Sequence, residues 1–490
     1  MFNVIVSAQR GRSTGDAASA FNSANSGGSR LKQSYGRLGD LSVSISGKDL
    51  VKLARLPFIS AIVPDVKLKV ADYQSAEMWR QSTGVNKLWS RSAVTCAVSS
   101  LTGLQLDPTC LSAPAFTAPQ APAIAIVDSG IDASKAADFG SRVIARHDFV
   151  SADNGVDPGG DLEGHGTMVA GVAAGAGLYP GVAQNAPLVD ARVAGSDGSI
   201  QMSDVLSALN WILTNKAQYN IGVVNMSLTG NGAASFRTDP VDQAVEKLWL
   251  NGIVVVAAIG NHGQPNSPVP LSSPGNDPFI ITVGAVDVNQ TANPSDDYRA
   301  PWSAYGTTSD GFGKPELVAP GRFIIAPIPA GAYLLANEPT RVPAAGYLWM
   351  SGTSFASPVV AGAAAQLLAN HPNWSPDQVK GALMASATQL ADHTTVGMGE
   401  VNAAAANALA SPPNPNEGLY QFVSTDGNGV RSFDATAFAN TVTTQSGWTE
   451  SGWTESGWTE SGWTESGWTE SGWTESGWTE SGWTESGWVE

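Results

Sequence analysis

IGVVNMSLTGNGAASFRTDPVDQAVEKLWLNGIVVVAAIGN, residues 221–261, is the stretch that decides the fold. It opens on a short β-rich apolar run, passes through a helical pattern at PVDQAVEKLWLNG (240–252), and closes on a second apolar run, GIVVVAAIGN (252–261). Short apolar runs bounded by Gly or Asn suit strands buried on both faces. The pattern continues outward. AIAIVDSG (123–130) and PLVDARVAG (187–195) precede it, FIITVGAVD (279–287) follows it, and SDVLSALNWILTNKAQ (203–218) supplies another helix. Strands alternating with helices predict an α/β fold, a doubly wound and mostly parallel sheet covered on both faces. Functional groups in such a sheet gather at the carboxyl ends of the strands.

Composition divides the chain into four regions. Residues 1–75 read as a small α+β domain of strand, strand, helix, strand order: FNVIV (2–6), LSVSIS (41–46), GKDLVKLARLPF (47–58, ended by Pro57) and ISAIVPDVKLKV (59–70). Residues 76–410 hold the alternating pattern and close with the helices SPDQVKGALMASA (375–387) and GMGEVNAAAANALA (397–410). In the first of these, Ser375 and Gln378 have capping-box spacing, with Pro376 in the first turn. SPPNPNEG then breaks the pattern, so 411–445 read as a linker. Residues 446–490 are nine copies of SGWTE (the last SGWVE), a low-complexity repeat whose composition favours a disordered tail.

The formal net charge of −17 excludes a phosphate-rich partner, so no nucleic acid is expected; nine of those charges belong to the repeats. No run reaches the ~18 uninterrupted apolar residues of a membrane span, so no transmembrane segment is expected. Cys96 and Cys110 are the only cysteines. They read as a local disulfide, or otherwise as two free thiols, and a disulfide implies a secreted, extracellular protein. The opening MFNVIVSAQRGR has no basic stretch followed by an apolar one, so an export signal is absent from this chain. Export would then need a signal outside it, the alternative being that the protein stays inside.

Three motifs carry chemistry, in order. AIAIVDSGID ends a strand on Asp128, EGHGTMVAGVAAG places His165 between glycines before a small-residue helix, and SGTSFASPVVAGAAAQLL sets Ser354 just ahead of a long apolar helix. Singly, each has a plain structural reading: a turn cap, a loop histidine, a helix N-cap. Together they have the parts of nucleophilic catalysis. A serine hydroxyl needs a base, an imidazole supplies it near neutral pH, and a carboxylate fixes the imidazole's tautomer.

These motifs resemble those of the subtilase family of subtilisin-like serine peptidases, over residues 76–410. The resemblance implies that Asp128, His165 and Ser354 form a catalytic triad acting through an acyl-enzyme, with polypeptides as substrates. It implies that 1–75 is an inhibitory propeptide, cleaved by the enzyme itself between Val70 and Trp79. GIVVVAAIGNHG resembles the segment carrying the oxyanion-hole asparagine, here Asn261. Ser227, Leu228 and Gly230 match an edge that pairs with extended substrate. Ala257, Ala258 and Gly260 match the wall of the pocket before the cleaved bond. Thr229 and Ile259 depart from the family pattern, Thr229 in a way that could crowd that pocket; Met168 replaces a family histidine at a structural position.

No cofactor is expected. Asp153, Asp157, Asp161 and Glu163 cluster in a Gly-rich loop that either holds a structural calcium ion or is simply a solvated acidic loop. Two other readings compete with a self-processing secreted endopeptidase: a binding protein that keeps the fold without turnover, and an enzyme whose activity stops at autoprocessing. In the last, the Trp-rich tail is the useful part, a surface-binding module; otherwise the tail is an inert extension.

Overall fold

The computed structural model describes residues 1–8, 13–35, 40–56, 58–64, 78–88, 119–150, 159–196, 198–230, 232–233, 235–289, 291–392, 394–427 and 429–444. Both cysteines, Asp153, Asp157 and the SGWTE repeats lie outside the described residues, so the disulfide, half of the acidic loop and the tail are not seen. The chain divides into two units, Met1–Asp72 and Tyr73–Glu490.

In the first unit, alternation at Val4 and Val6 and at Leu41, Val43 and Ile45 turns one face of each strand onto a small core. The elements are β1 (Phe2–Ala8), α1 (Thr14–Ala24), β2 (Arg30–Tyr35), β3 (Asp40–Ile45), α2 (Gly47–Leu53) and β4 (Ile59–Pro64). They form a four-stranded antiparallel sheet of order β2-β3-β1-β4. The two helices bury Ala17, Phe21 and Leu53 in its core. This βαββαβ arrangement has one helix and one strand more than the sequence pattern predicts. In α1, Ala17, Ala20, Phe21 and Ala24, with Thr14, mark the buried face of an otherwise small and polar segment. In β2 every residue is exposed, so no alternation is written there.

The second unit is built on an eight-stranded sheet. Its members are β5 (Ala123–Asp128), β6 (Val143–Asp148), β7 (Leu188–Arg192), β8 (Ile221–Met226), β9 (Val254–Ala258), β10 (Ile281–Asp287), β11 (Tyr298–Arg299) and β12 (Leu317–Pro320). The order is β11-β10-β9-β8-β5-β7-β6, with β12 also beside β10; all pairs are parallel except β10 with β11. Every residue of β5, β7, β9 and β10 is buried, as expected of strands covered on both faces. The chain runs from β5 to the edge strand β6, returns to β7 between them, then crosses β5 to β8 on the other side. The strand order therefore reverses at β5, and a crevice opens beyond the carboxyl ends of β5 and β8. β6 was not legible in the sequence, because VIARHD lies at the sheet edge and is only half-buried.

The principal helices are α3 (His165–Ala174), α4 (Met202–Tyr219), α5 (Pro240–Leu250), α6 (Thr353–Asn370) and α7 (Pro376–Ala385). β13 (Ile324–Pro327) and β14 (Tyr347–Met350) make a hairpin leading into α6. The capping box expected at Ser375 and Gln378 is formed. α7 is held by a wholly buried ionic cluster. Lys314 and Lys380 both reach Glu316 Oε1, Lys380 at 3.0 Å. Glu316 Oε2 accepts the Thr282 N–H at 2.9 Å, and Lys380 also donates to the Pro278 carbonyl at 2.7 Å. Burial alone would raise the Glu316 carboxyl, but the two lysines overcome it and hold it below its ordinary value. Burial pulls Lys380 down to about 8, against the pull of Glu316.

Residues 411–444 are not the linker that SPPNPNEG suggests. β15 (Val423–Thr425) pairs with β16 (Arg431–Phe433), and α8 (Ala435–Thr444) follows. Phe438 is buried among Phe236, Phe422 and Phe433, with ring centroids 5.4–5.6 Å from each. The Tyr420 hydroxyl donates to Asp377, and the Asn416 amide donates to the same carboxylate at 2.8 Å. Burying a side chain of this size contributes about 1.5–3 kcal/mol, enough to override the Pro and Asn punctuation. Among the described residues no helix is long and apolar enough to cross a membrane.

Candidate active site

Asp128 is the last residue of β5, where the parallel sheet delivers it to the crevice. Its side chain is 5% exposed; Oδ1 accepts the Ser129 N–H at 2.8 Å and sits 2.8 Å from His165 Nδ1. That contact fixes the imidazole with Nδ1–H toward the carboxylate, leaving Nε2 as the free base. His165 opens α3. Two glycines allow it to stand so close to β5. Gly164 turns the chain into the helix at φ +98°, and a Cβ at Gly166 would fall 2.3 Å from the Gly130 carbonyl oxygen.

Part of the acidic loop serves this turn. Asp161 is buried and accepts four hydrogen bonds, from Ser129 Oγ, Gly164 N, Thr167 N and Thr167 Oγ1, at 2.7–2.9 Å. Ser129 Oγ in turn accepts the Gly166 N–H at 2.8 Å. Glu163 Oε2 accepts the His165 N–H at 2.7 Å. These two carboxylates therefore cap and brace α3, and among the described residues no group of three or more acidic, His or Cys side chains is arranged to hold a metal ion. Burial alone would lower the His165 imidazole. The Asp128 carboxylate, by charge and by hydrogen bond, and then Glu163 and Asp161 outweigh it and raise the ring from 6.5 to about 9.

Ser354 is the second residue of α6, half-buried, and the ring of the next residue, Phe355, lies 5.5 Å from that of His165. Ser354 Oγ donates to the Ser227 carbonyl at 3.4 Å rather than to His165, so it must rotate to meet Nε2. The backbone beneath it is set by a proline. Pro358 has no N–H to give the Ser354 carbonyl four residues back. Ser227 Oγ supplies the missing donor at 2.8 Å and is itself oriented by Asn225 Nδ2 at 2.9 Å. The Ser227 side chain thus holds the helix of Ser354.

Asn261, three residues past β9, is exposed. Its Oδ1 accepts both the Thr353 N–H, at 2.9 Å, and the Thr353 hydroxyl, at 3.0 Å. With the carbonyl end committed, Nδ2 is the end turned toward Gly352, 3.4 Å from where a Cβ there would stand. The Thr353 hydroxyl also accepts the Gly260 N–H at 3.2 Å, stitching the β9 end to the start of α6. Thr353 is a positioning residue the sequence reading passed over, although it stands inside the GTS motif.

The expected substrate-binding residues are only partly brought together. Ser227, Leu228 and Gly230 continue β8 past its last ladder pair; the Gly230 N–H is already given to the Ser273 carbonyl at 2.7 Å, while Leu228 has both main-chain groups open. Ala257 and Ala258 are buried at the end of β9. Thr229 lies against Gly260, its methyl 3.4 Å from the Cβ position there. Ile259 turns away into an apolar cluster with Leu271 and Ala304. Met168 is wholly buried, a core residue. Beside Leu228 and Gly230 a cleft of about 330 Å³ is lined by Ile200, Val205, Leu228 and Val241, with Thr229, Asp239 and Ser273 also on its wall.

A model of the Subtilase family matches residues 120–400, more than half of the chain and the whole of this site. The chain is a subtilase. Serine protease AprX of Bacillus subtilis (strain 168) is 36% identical over 296 residues, which are 57% of this chain and 64% of that protein. Subtilisin DY of Bacillus licheniformis is 35% identical over 287 residues, 58% of this chain and 89% of the relative. The crystal structure of a cold adapted subtilisin-like serine proteinase aligns with 30% identity and a TM-score of 0.44, over 57% of this chain and 86% of that one. The subtilase thus spans just under two thirds of the first of these relatives. Both the βαββαβ unit and the aromatic-anchored segment 411–444 lie outside the family match.

Proposed function

We propose that this subtilase is a serine endopeptidase. The observation that carries the reading is the buried Asp128 carboxylate bonded to His165 Nδ1 at 2.8 Å, beside a serine at a helix start and an asparagine amide with its oxygen committed. Ser354 Oγ attacks the substrate carbonyl carbon as its proton passes to His165 Nε2, and Asp128 stabilises the imidazolium. Asn261 Nδ2 and the Ser354 N–H donate to the oxyanion. Collapse breaks the C–N bond, the proton goes from His165 to the leaving amine, and the ester on Ser354 is hydrolysed by a water that His165 activates. Leu228 and the carbonyl of Gly230 offer main-chain pairing to an extended polypeptide, and the cleft beside them would take an apolar side chain.

The same reading makes the βαββαβ unit an inhibitory propeptide. It has a core of its own, and the segment after β4 leads toward the catalytic unit in sequence. Cleavage between Val70 and Trp79 would release it, the enzyme would act outside the cell, and the SGWTE arm would bind a surface through its Trp side chains. Treatment with a fluorophosphonate followed by peptide mass spectrometry tests the chemistry: the adduct belongs on Ser354, and casein hydrolysis should cease with it. An unlabelled Ser354 in a protein that still digests casein removes the reading. Comparing masses of wild type and Ser354→Ala tests the processing, since only the wild type should lose its N-terminal unit.

A further inference from the structure

The connection between β13 and β14 runs over residues 328–346 and carries a short helix, Tyr333–Asn337. Two main-chain hydrogen bonds fasten its start to the loop that leads into His165: Tyr333 N–H to the Leu162 carbonyl at 2.9 Å, and Leu334 N–H to the Glu163 carbonyl at 3.1 Å. Ile328 and Ala332 press on Gly164 so closely that a Cβ there would meet them at 2.5 and 2.9 Å. The backbone is pinned, yet the Tyr333 side chain is 55% exposed and Leu162 beside it 46%. Among the described residues the Tyr333 ring stacks on no other ring and its hydroxyl makes no hydrogen bond.

We propose that Tyr333 is a specificity-determining residue that binds the departing half of the polypeptide substrate through an apolar side chain. The inference rests on the endopeptidase reading above. In that reading the acyl half lies along the ends of β8 and β9, at Leu228 and Asn261. His165 hands its proton to the leaving amine, so the chain beyond the cleaved bond passes on the far side of the imidazole. The strap fastened at Leu162 and Glu163 adjoins the loop that enters His165, and is assigned to that side of the ring. An aromatic ring on a fixed backbone loses little entropy on binding and offers a large apolar face with a polar tip, the combination found at recognition hot spots.

Two substrates separate the possibilities: a quenched fluorescent peptide with residues on both sides of the cleaved bond, and a peptidyl p-nitroanilide with the same acyl half and nothing beyond it. Tyr333→Ala should lower kcat/KM on the first by about tenfold, mainly through KM, and leave the second unchanged. Tyr333→Phe should keep most of the wild-type value on both. An equal fall on both substrates, or none on either, overturns the proposal. If wild type hydrolyses neither substrate, the endopeptidase reading itself fails.

Discussion

Two charged clusters sit on the same sheet and use the same interactions to different ends. At β12 and α7, Lys314, Glu316 and Lys380 are closed off, each with 0% side-chain exposure and its protons matched to acceptors. At the end of β5, Asp128 is as well buried, but its partner His165 keeps 23% of its side chain exposed and one ring nitrogen uncommitted. A buried charge must be paired in either place. What distinguishes a site from a strut is the atom left over: Nε2 of His165 and Nδ2 of Asn261 are not used by the contacts that hold those side chains, and Ser354 Oγ makes only a long bond to the Ser227 carbonyl, whereas Lys314, Glu316 and Lys380 are tied to one another and to the main chain.

The contrast can be broken most severely at Ser354. Ser354→Ala should cut casein turnover by at least about 10⁴-fold while leaving the thermal midpoint near wild type, because the hydroxyl braces nothing but the Ser227 carbonyl. Asn261→Ala should cost about 10²–10³ in kcat with little change in KM, a magnitude known from a relative in this family. Removing the centre of the other cluster should move stability instead. Glu316→Ala removes the carboxylate that both buried ammonium groups contact and leaves only Asp277 to offset them, and it should destabilise the protein by about 3–5 kcal/mol in urea unfolding, with the specific activity of the folded fraction retained.

The smallest and most graded effect is that of pH. His165 is raised to about 9, so the base is mostly protonated at neutrality and kcat/KM should rise with pH up to that value. The sign for stability is opposite. An imidazole held by a carboxylate contributes stability that is complete below its ordinary value of 6.5 and is lost as pH rises through about 9. Glu163→Gln removes one of the charges that raise the ring and should move the acid limb of the activity profile to lower pH. An unmoved limb would mean that Asp128 and Asp161 set it without Glu163.

Much of this was written in the sequence, and what was not had physical reasons. Five strands announced themselves because both faces of the sheet are covered, which forces continuous apolar runs; β6, at the edge, carries Arg146, His147 and Asp148 and gave no such signal. Asp128, His165, Ser354 and Asn261 were legible because each sits at the end of such a run or the start of a small-residue helix. Asp161 was not, since a carboxylate that will be buried by four local donors looks the same in sequence as one in water. The segment 411–444 hid for the converse reason: its anchors, Tyr420, Phe422, Phe433 and Phe438, are spaced for a tertiary cluster rather than for any helical or strand period.

Pro358 has a consequence for anyone wishing to move this chemistry to another scaffold. Because it withholds the amide that would have bonded the Ser354 carbonyl within α6, that carbonyl is moored to a side chain just past the end of β8 and not to its own helix. The serine's address is thus written in the strand. A transplant that copied the helix and its GTS sequence but left Ser227 behind would carry the reactive group without its mooring, and the helix would be free to settle elsewhere.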